Sequence, residues 1–451
     1  MTVTNDGVAH RRRALLAGSI GVFVEWFDFI VYAYSAPVIA TLFFPQQDRS
    51  AALLATFGLF GVAFVVRPFG GYFFGNLGDK IGRRNTLSLV VLLMGGATMC
   101  IGVLPTYASI GLLAPGLLLL CRLVQGFSAG GENAGAFALI AEYAPEGRRG
   151  LWLSSTVVMN ILPAMAAAFT VLLVTSSMSA DSYAGWGWRM PFLIGGVLGV
   201  IGLYLRRRLE ETPAFLAVQE RDQVEQAPAA RAIRSNLRGM AFVFGLSALN
   251  GLAFYLLTAY LVTYLTETVG LARTTALLAN FVVLGVVMAV VPLAGLLSDR
   301  VGRRPLMAAG AATLAVLVVP GFHLLTAGGL TNAILGQLVI GVGLALFAAP
   351  YVAAQVELFP TRTRYSAISI SYNIAYALFA GTGPFVSAFL VSRTGLQVAP
   401  GIYLAVVAGL VFLLVLALPE TYRRPLLQGE ESGDTASTSG GRSSNNSLGV
   451  L

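Results

Sequence analysis

The chain has 451 residues, of which 56% are apolar and only 11% charged, and it carries a formal charge of +8. A soluble domain has roughly a quarter charged residues, so this composition excludes a soluble protein. Apolar runs of about twenty residues, the length of a membrane-crossing helix, recur along the whole chain.

Residues 1–13 are polar and end in Arg11-Arg12-Arg13, and the apolar stretch that follows runs to Phe44. It is too long for a signal-peptide core and no small-residue cleavage site follows it, so it reads as a first span. Five more apolar segments follow at 51–78, 86–107, 112–143, 150–178 and 188–208. A charged stretch at 206–238 intervenes, and six further spans occupy 239–267, 274–297, 306–327, 332–358, 365–391 and 398–418. The expected architecture is an all-α integral membrane protein of twelve transmembrane helices in two pseudo-symmetric six-helix halves. Its divisions are a cytoplasmic N-terminus (1–13), an N-terminal half (14–208), a linker (209–238), a C-terminal half (239–419) and a disordered cytoplasmic tail (420–451).

Arg49, Arg189, Arg273 and Arg393 lie in alternate loops, and Arg67 and Arg122 lie within spans. The rest of the 29 Lys and Arg residues cluster at the N-terminus, in every second loop and in the tail. By the positive-inside rule this places both termini in the cytoplasm, so the basic charge reports topology and not a nucleic-acid partner. Cys100 and Cys121 sit in apolar segments and read as packing residues, and His10 and His323 stand apart, without metal-ligand spacing. No metal site and no catalytic constellation is expected.

Two loops nearly repeat: Gly75-Asn-Leu-Gly-Asp-Lys-Ile-Gly-Arg-Arg84 and Gly295-Leu-Leu-Ser-Asp-Arg-Val-Gly-Arg-Arg304. A second repeat, E-x-x-P-x-x-x-R, ends the fourth span at Glu142–Arg149 and the tenth at Glu357–Arg364. Proline stops each helix there, and Glu and Arg flank the break. Two readings stand. The charges anchor loops at the headgroups, or Asp79, Arg83, Arg84, Glu142 and Arg149 face Asp299, Arg303, Arg304, Glu357 and Arg364 across a cytoplasmic gate.

An ionisable side chain in mid-bilayer costs about 2.5–3.5 kcal/mol on insertion scales, so each is a functional candidate. Glu25, Asp28 and Tyr32 share one face of the first span. Arg67 lies in the second; Arg122, Gln125 and Glu132 form a stripe on the fourth, beside glycines 126, 130, 131 and 135. Asp28, Glu25 and Glu132 are the candidates for proton coupling, because a buried carboxylate beside an Arg can exchange a proton near neutral pH. Arg67 and Arg122 either hold a substrate's negative group or tune such an acid. The C-terminal half offers uncharged polar groups, Asn250, Tyr255, Tyr372 and Asn373, which with Gln125 and Tyr32 complete the expected substrate site.

The repeated glycine-aspartate loops resemble the cytoplasmic loop signature of the major facilitator superfamily. Further stretches are similar to its metabolite:proton symporter family. They are Glu25-Trp-Phe-Asp-Phe29, Arg67-Pro-Phe-Gly70, Arg122-x-x-Gln125-Gly126, Trp186-Gly-Trp-Arg-Met-Pro-Phe192, Glu210-Glu-Thr-Pro213, Phe359-Pro-Thr-Arg362 and Pro419-Glu-Thr421. The resemblance implies uptake of small organic acids or zwitterions together with protons. The fifth span lacks the Gly-Pro-x-x-Gly-Gly pattern expected of drug:proton antiporters, which favours symport. Residues 420–451 lack the heptads of the family's osmosensing members, which weighs against a proline/betaine osmosensor.

The expected function is therefore a secondary active transporter of the cell membrane, importing a small organic acid with protons by alternating access. The alternatives are a proton-coupled importer of a zwitterionic osmolyte such as proline or betaine, and a non-transporting membrane sensor. No cofactor is expected beyond the proton gradient as driving force. The expected partners are the bilayer, the substrate and protons, with the monomer as the working unit.

Overall fold

A computed structural model describes the backbone of residues 5–45, 48–81, 83–130, 137, 140–141, 144–145, 147–207, 228–359 and 361–422; within these, the side chains of 5–22, 75–76, 78–81, 83–85, 87, 205–206, 228–235, 361–363 and 365–366 are outside the description. The described chain is helical almost throughout, as a bilayer requires, since every backbone N–H and C=O in hydrocarbon must be satisfied within the segment.

The first six long helices are α1 (Asn5–Phe43), α2 (Arg49–Ile81), α3 (Arg83–Val103), α4 (Leu113–Ser128), α5 (Arg149–Ser176) and α6 (Met190–Arg207). The second six are α7 (Pro228–Tyr255, continued by Leu256–Tyr260 and Leu261–Glu267), α8 (Arg273–Val301), α9 (Arg303–Thr326), α10 (Leu330–Glu357), α11 (Thr361–Ala375, continued by Tyr376–Gly381 and Gly383–Thr394) and α12 (Ala399–Ala417). Ten are long and apolar enough to cross a membrane; Ser88–Val103 and Leu113–Ser128 are shorter apolar helices that complete the twelve. Leu256–Tyr260 in α7 and Tyr376–Gly381 in α11 are π-type turns, a widening often found at functional positions.

Two boundaries differ from those expected. Helix α7 begins at Pro228, inside the segment assigned to the linker, and its backbone leaves helical geometry at Asn236 (φ −134°), where the linker portion meets the span. Residues 420–422, assigned to the tail, are packed. Glu420 accepts from the backbone N–H of Arg303 (3.0 Å) and Arg304 (3.1 Å), and the Thr421 hydroxyl donates to Glu357 (2.7 Å). A carboxylate at the free N–H groups of a helix start is favoured there, and α9 supplies them. Residues 208–227 and 423–451 lie outside the described residues.

Within the first half, α4 lies against α2 with no room for a side chain between them. A Cβ on Gly126 would stand 2.0 Å from the Ala63 carbonyl oxygen, and one on Gly130 2.2 Å from that of Arg67. Small residues let backbones close to this distance, where dispersion replaces the missing hydrophobic drive between helices in lipid. That contact presses the polar stripe of α4 toward α1 and α3. The two halves meet mainly where α5 packs on α8 and α2 on α11. Gly150 and Gly295 touch backbone to backbone at the first of these seams.

Candidate functional site

Helix α1 is the innermost element of its half, and Glu25, Asp28 and Tyr32 are all buried on it. Arg67 of α2 reaches Glu25 at 3.0 Å and is sandwiched between the rings of Phe29 and Phe64, at 4.6 and 4.4 Å. Arg122 of α4 lies 4.1 Å over the Tyr32 ring and donates to Gln125 Oε1 at 2.9 Å. Gln125 in turn donates to the Thr98 hydroxyl of α3 at 2.8 Å, and that hydroxyl donates to Asp28 Oδ2. Both guanidinium groups are thus held by side chains of their own half. Tyr32 closes the cluster by donating to the Thr56 carbonyl of α2, at 3.0 Å.

Gly195 of α6 backs the Asp28 carboxylate. A Cβ there would sit 2.7 Å from Asp28 Oδ1 and 2.9 Å from Thr98 Cγ2, closer than real contacts allow. Gly195→Ala is therefore expected to displace the carboxylate and lower the initial uptake rate several-fold at equal folded amount. Uptake at the unsubstituted rate would show that the carboxylate position does not matter.

A small cavity opens between the halves. Six aromatic residues line it: Trp26 of α1, Phe137, Phe254 of α7, Tyr351 of α10, and Tyr372 and Tyr376 of α11. Asn160 of α5 and Asn250 of α7 add two amides. Among the described residues that line it, none is ionised. Tyr372 and Tyr376 stack at 3.9 Å, Asn250 donates to the Tyr376 hydroxyl at 2.9 Å, and Ser247 shares a hydrogen bond with Tyr351 at 2.7 Å. The Asn250 Oδ1 and Trp26 Nε1 atoms are buried without a hydrogen-bond partner. A buried polar atom left unpaired costs about 1–3 kcal/mol, so a molecule entering here gains by meeting it.

Of the residues expected to bind substrate, Asn250 and Tyr372 line this cavity. Arg67, Arg122, Gln125 and Tyr32 do not line it; Arg67 pairs with Glu25, and Arg122 lies over Tyr32 and donates to Gln125. Tyr255 stacks behind Trp26 at 5.7 Å, and Asn373 turns to Ser369 on its own helix, at 3.4 Å. Of the two roles open to the arginines, this placement favours tuning an acid: Arg67 pairs with Glu25, and Arg122 connects to Asp28 through Gln125 and Thr98. Glu132 lies outside the described residues.

The halves are joined at both ends. At the end carrying the repeated loops, Asp299 of α8 accepts from the backbone N–H of Gly150 and Leu151, both at 2.8 Å, and so caps α5 from across the seam. Arg303 binds Asp299 at 2.7 Å and Glu357 at 3.2 Å, and Arg149 of α5 approaches Glu357 at 3.8 Å. Arg304 donates to the Leu416 carbonyl, and Arg364 to those of Val356 (3.0 Å) and Phe359 (3.2 Å), so both hold helix ends of their own half. The side chains of Asp79, Arg83 and Arg84, and residue Glu142, lie outside the described residues. At the opposite end the Tyr34 hydroxyl of α1 donates to Asn280 of α8 at 2.6 Å. Arg273 donates to the Tyr34 carbonyl, and Arg49 pairs with Glu267 at 2.7 Å.

Two six-helix halves around a central cavity, joined by contacts at both ends, is the geometry of an alternating-access transporter. Family comparison agrees: residues 14–239 match the family described as "Sugar (and other) transporter" and residues 243–445 match "Major Facilitator Superfamily". The chain is similar to the proline/betaine transporter of Salmonella typhimurium, at 37% identity over 94% of this chain and 86% of that one. The chain belongs to the major facilitator superfamily. Another relative is the ectoine/proline transporter of Corynebacterium glutamicum, 36% identical over 92% of this chain and 85% of its own length. The xylose transporter of E. coli, in a partially occluded inward-open conformation, matches at a TM-score of 0.74 and 18% identity, over 92% of this chain and 99% of that one. That likeness shows the twelve-helix major facilitator fold. This facilitator is accordingly a multi-pass membrane transporter of a small molecule, not an enzyme.

Sequence reasoning missed Trp26, Asn160, Tyr351 and Tyr376 at the cavity, and the Tyr34–Asn280 pair. Asn160 and Asn280 carried a signal: each is an amide in an otherwise apolar span, where such groups mark contacts between helices. Thr98 carried none, because a threonine in a helix ordinarily bonds its own backbone.

Proposed function

We propose that this protein imports a zwitterionic osmolyte of the proline or betaine type across the plasma membrane, in symport with protons. The observation that carries this reading is that the described residues lining the cavity are uncharged. A di- or tricarboxylate would bring several charges into a site whose described lining holds no counter-charge, and burying unpaired charge is costly. A zwitterion is neutral overall. Its cationic end suits the faces of the aromatic rings, and its carboxylate suits the unpaired Trp26 Nε1 donor. The relatives named for proline, betaine and ectoine support this substrate class over the organic acids expected from the two arginines. The proton gradient is the driving force in this reading, Asp28 carries the proton, and one chain holding both halves is the working unit with both termini cytoplasmic.

The test is uptake by purified protein in vesicles with an imposed inward pH gradient. Labelled betaine or proline is expected to accumulate, and an uncoupler is expected to collapse that accumulation. 2-Oxoglutarate, citrate and shikimate are expected neither to accumulate nor to compete. Accumulation of a carboxylate with no competition by betaine would overturn the substrate class, and insensitivity to the uncoupler would overturn the coupling.

A further inference from the structure

We infer that Thr98 is a positioning residue that links the protonation of Asp28 to Arg122. The inference rests on the reading of Asp28 as the proton carrier. Arg122 reaches Asp28 through two neutral side chains. Arg122 donates to Gln125 (2.9 Å), Gln125 donates to Thr98 (2.8 Å), and Thr98 donates to the carboxylate. Every bond in this chain points its donor toward Asp28. The arrangement therefore suits the ionised carboxylate, which can only accept.

The Thr98 hydroxyl also has a second acceptor within reach, the Met94 carbonyl one turn back on α3, at 3.0 Å. One hydroxyl hydrogen cannot serve both. When Asp28 takes up a proton its own O–H becomes a donor, and Thr98 Oγ1 is beside it to accept. The Thr98 hydrogen then turns to Met94, an ordinary bond for a helical threonine. The proton is counted once: it arrives on Asp28, and only the Thr98 hydroxyl reorients.

Among the described residues, the charged and titratable groups around Asp28 are few enough to name. Glu25 lies on the same helix and pairs with Arg67 from α2, Arg122 comes from α4, and Tyr255 of α7 stands behind Trp26. Helix α6 presents Gly195. Thr98 is the contact of α3 with the carboxylate, and among the described residues Asp28 Oδ1 has no partner, so Thr98 is the described donor that holds the group.

The experiment compares Thr98→Val, which keeps the shape and removes the hydroxyl, with Thr98→Ser, which restores it. The readout is the infrared carboxyl band that disappears in Asp28→Asn, titrated on purified protein, alongside the pH profile of uptake. A hydrogen bond to a charged group is strong enough that its loss changes proton affinity about tenfold. Both titration and profile are expected to move to higher pH by about one unit in Thr98→Val and to return in Thr98→Ser. An unmoved titration in folded Thr98→Val would overturn the inference. A titration that moves while uptake of the unsubstituted protein ignores an uncoupler would instead overturn the proton-carrier reading and leave the hydrogen-bond link standing.

Discussion

Asp28→Asn is expected to abolish accumulation driven by a pH gradient while substrate exchange across the vesicle membrane continues. Asparagine has nearly the same volume, and its side-chain oxygen can still accept from Thr98, so the packing of α1, α3 and α4 is kept. What is lost is the group that can take up a proton in the middle of the bundle. Asp28 does not line the cavity, so the binding site should survive its neutralisation. The measurement is the ratio of internal to external label at steady state, expected to fall to about one, with counterflow measured on the same preparation. Full accumulation by this variant would remove Asp28 from the mechanism.

Asp299→Asn is the second substitution with a large expected effect, because Asp299 serves both halves. Its two oxygens accept from successive N–H groups at the start of α5, and one of them also binds Arg303. An amide can accept through one oxygen only, and its NH2 would face an N–H donor. It also leaves the buried Arg303 with less negative charge to meet. In the gate reading the closed state at this end holds the contact and an opened state does not, so the penalty would fall on one side of the equilibrium. A differential loss of about 1.4 kcal/mol shifts that balance tenfold.

Slower net uptake is expected, together with faster labelling of a Val352→Cys probe from the side of the repeated loops, in a background with Cys100 and Cys121 replaced. Normalising to folded protein separates this from a loop-anchor role, which would lower yield and leave labelling unchanged. Unchanged labelling would leave the Asp299 contact as an anchor and the gate without support.

The repeated loops were legible because each side of the repeat kept its glycine, aspartate and arginine in order. That order forecast where charges gather, but not what they touch. The gate reading sets Asp299 opposite the charges of the first half; there it meets the backbone N–H groups at the start of α5, while its arginine partner, Arg303, belongs to its own half. Helix starts expose free N–H groups that no sequence pattern labels as partners. The arginines illustrate the same limit from inside the bundle. Arg67 and Arg122 stand out in the sequence by the cost of a charge inside a span, yet their partners depend on which helices lie alongside. The close α2–α4 approach at Gly126 and Gly130 places Arg122 by Gln125 and Tyr32, away from the cavity.

The amino-acid sequence by itself determined the twelve spans, their division into halves and the positions of the buried charges. These follow from local quantities: the length of apolar runs, and the cost of a charge placed inside one. Only the tertiary structure decided that the described lining of the central cavity is aromatic and uncharged, and that Arg122 meets Asp28 through Gln125 and Thr98. Those outcomes depend on the rotation of each helix about its axis and on which neighbour it touches. Packing across the bundle sets both, and no single helix encodes them.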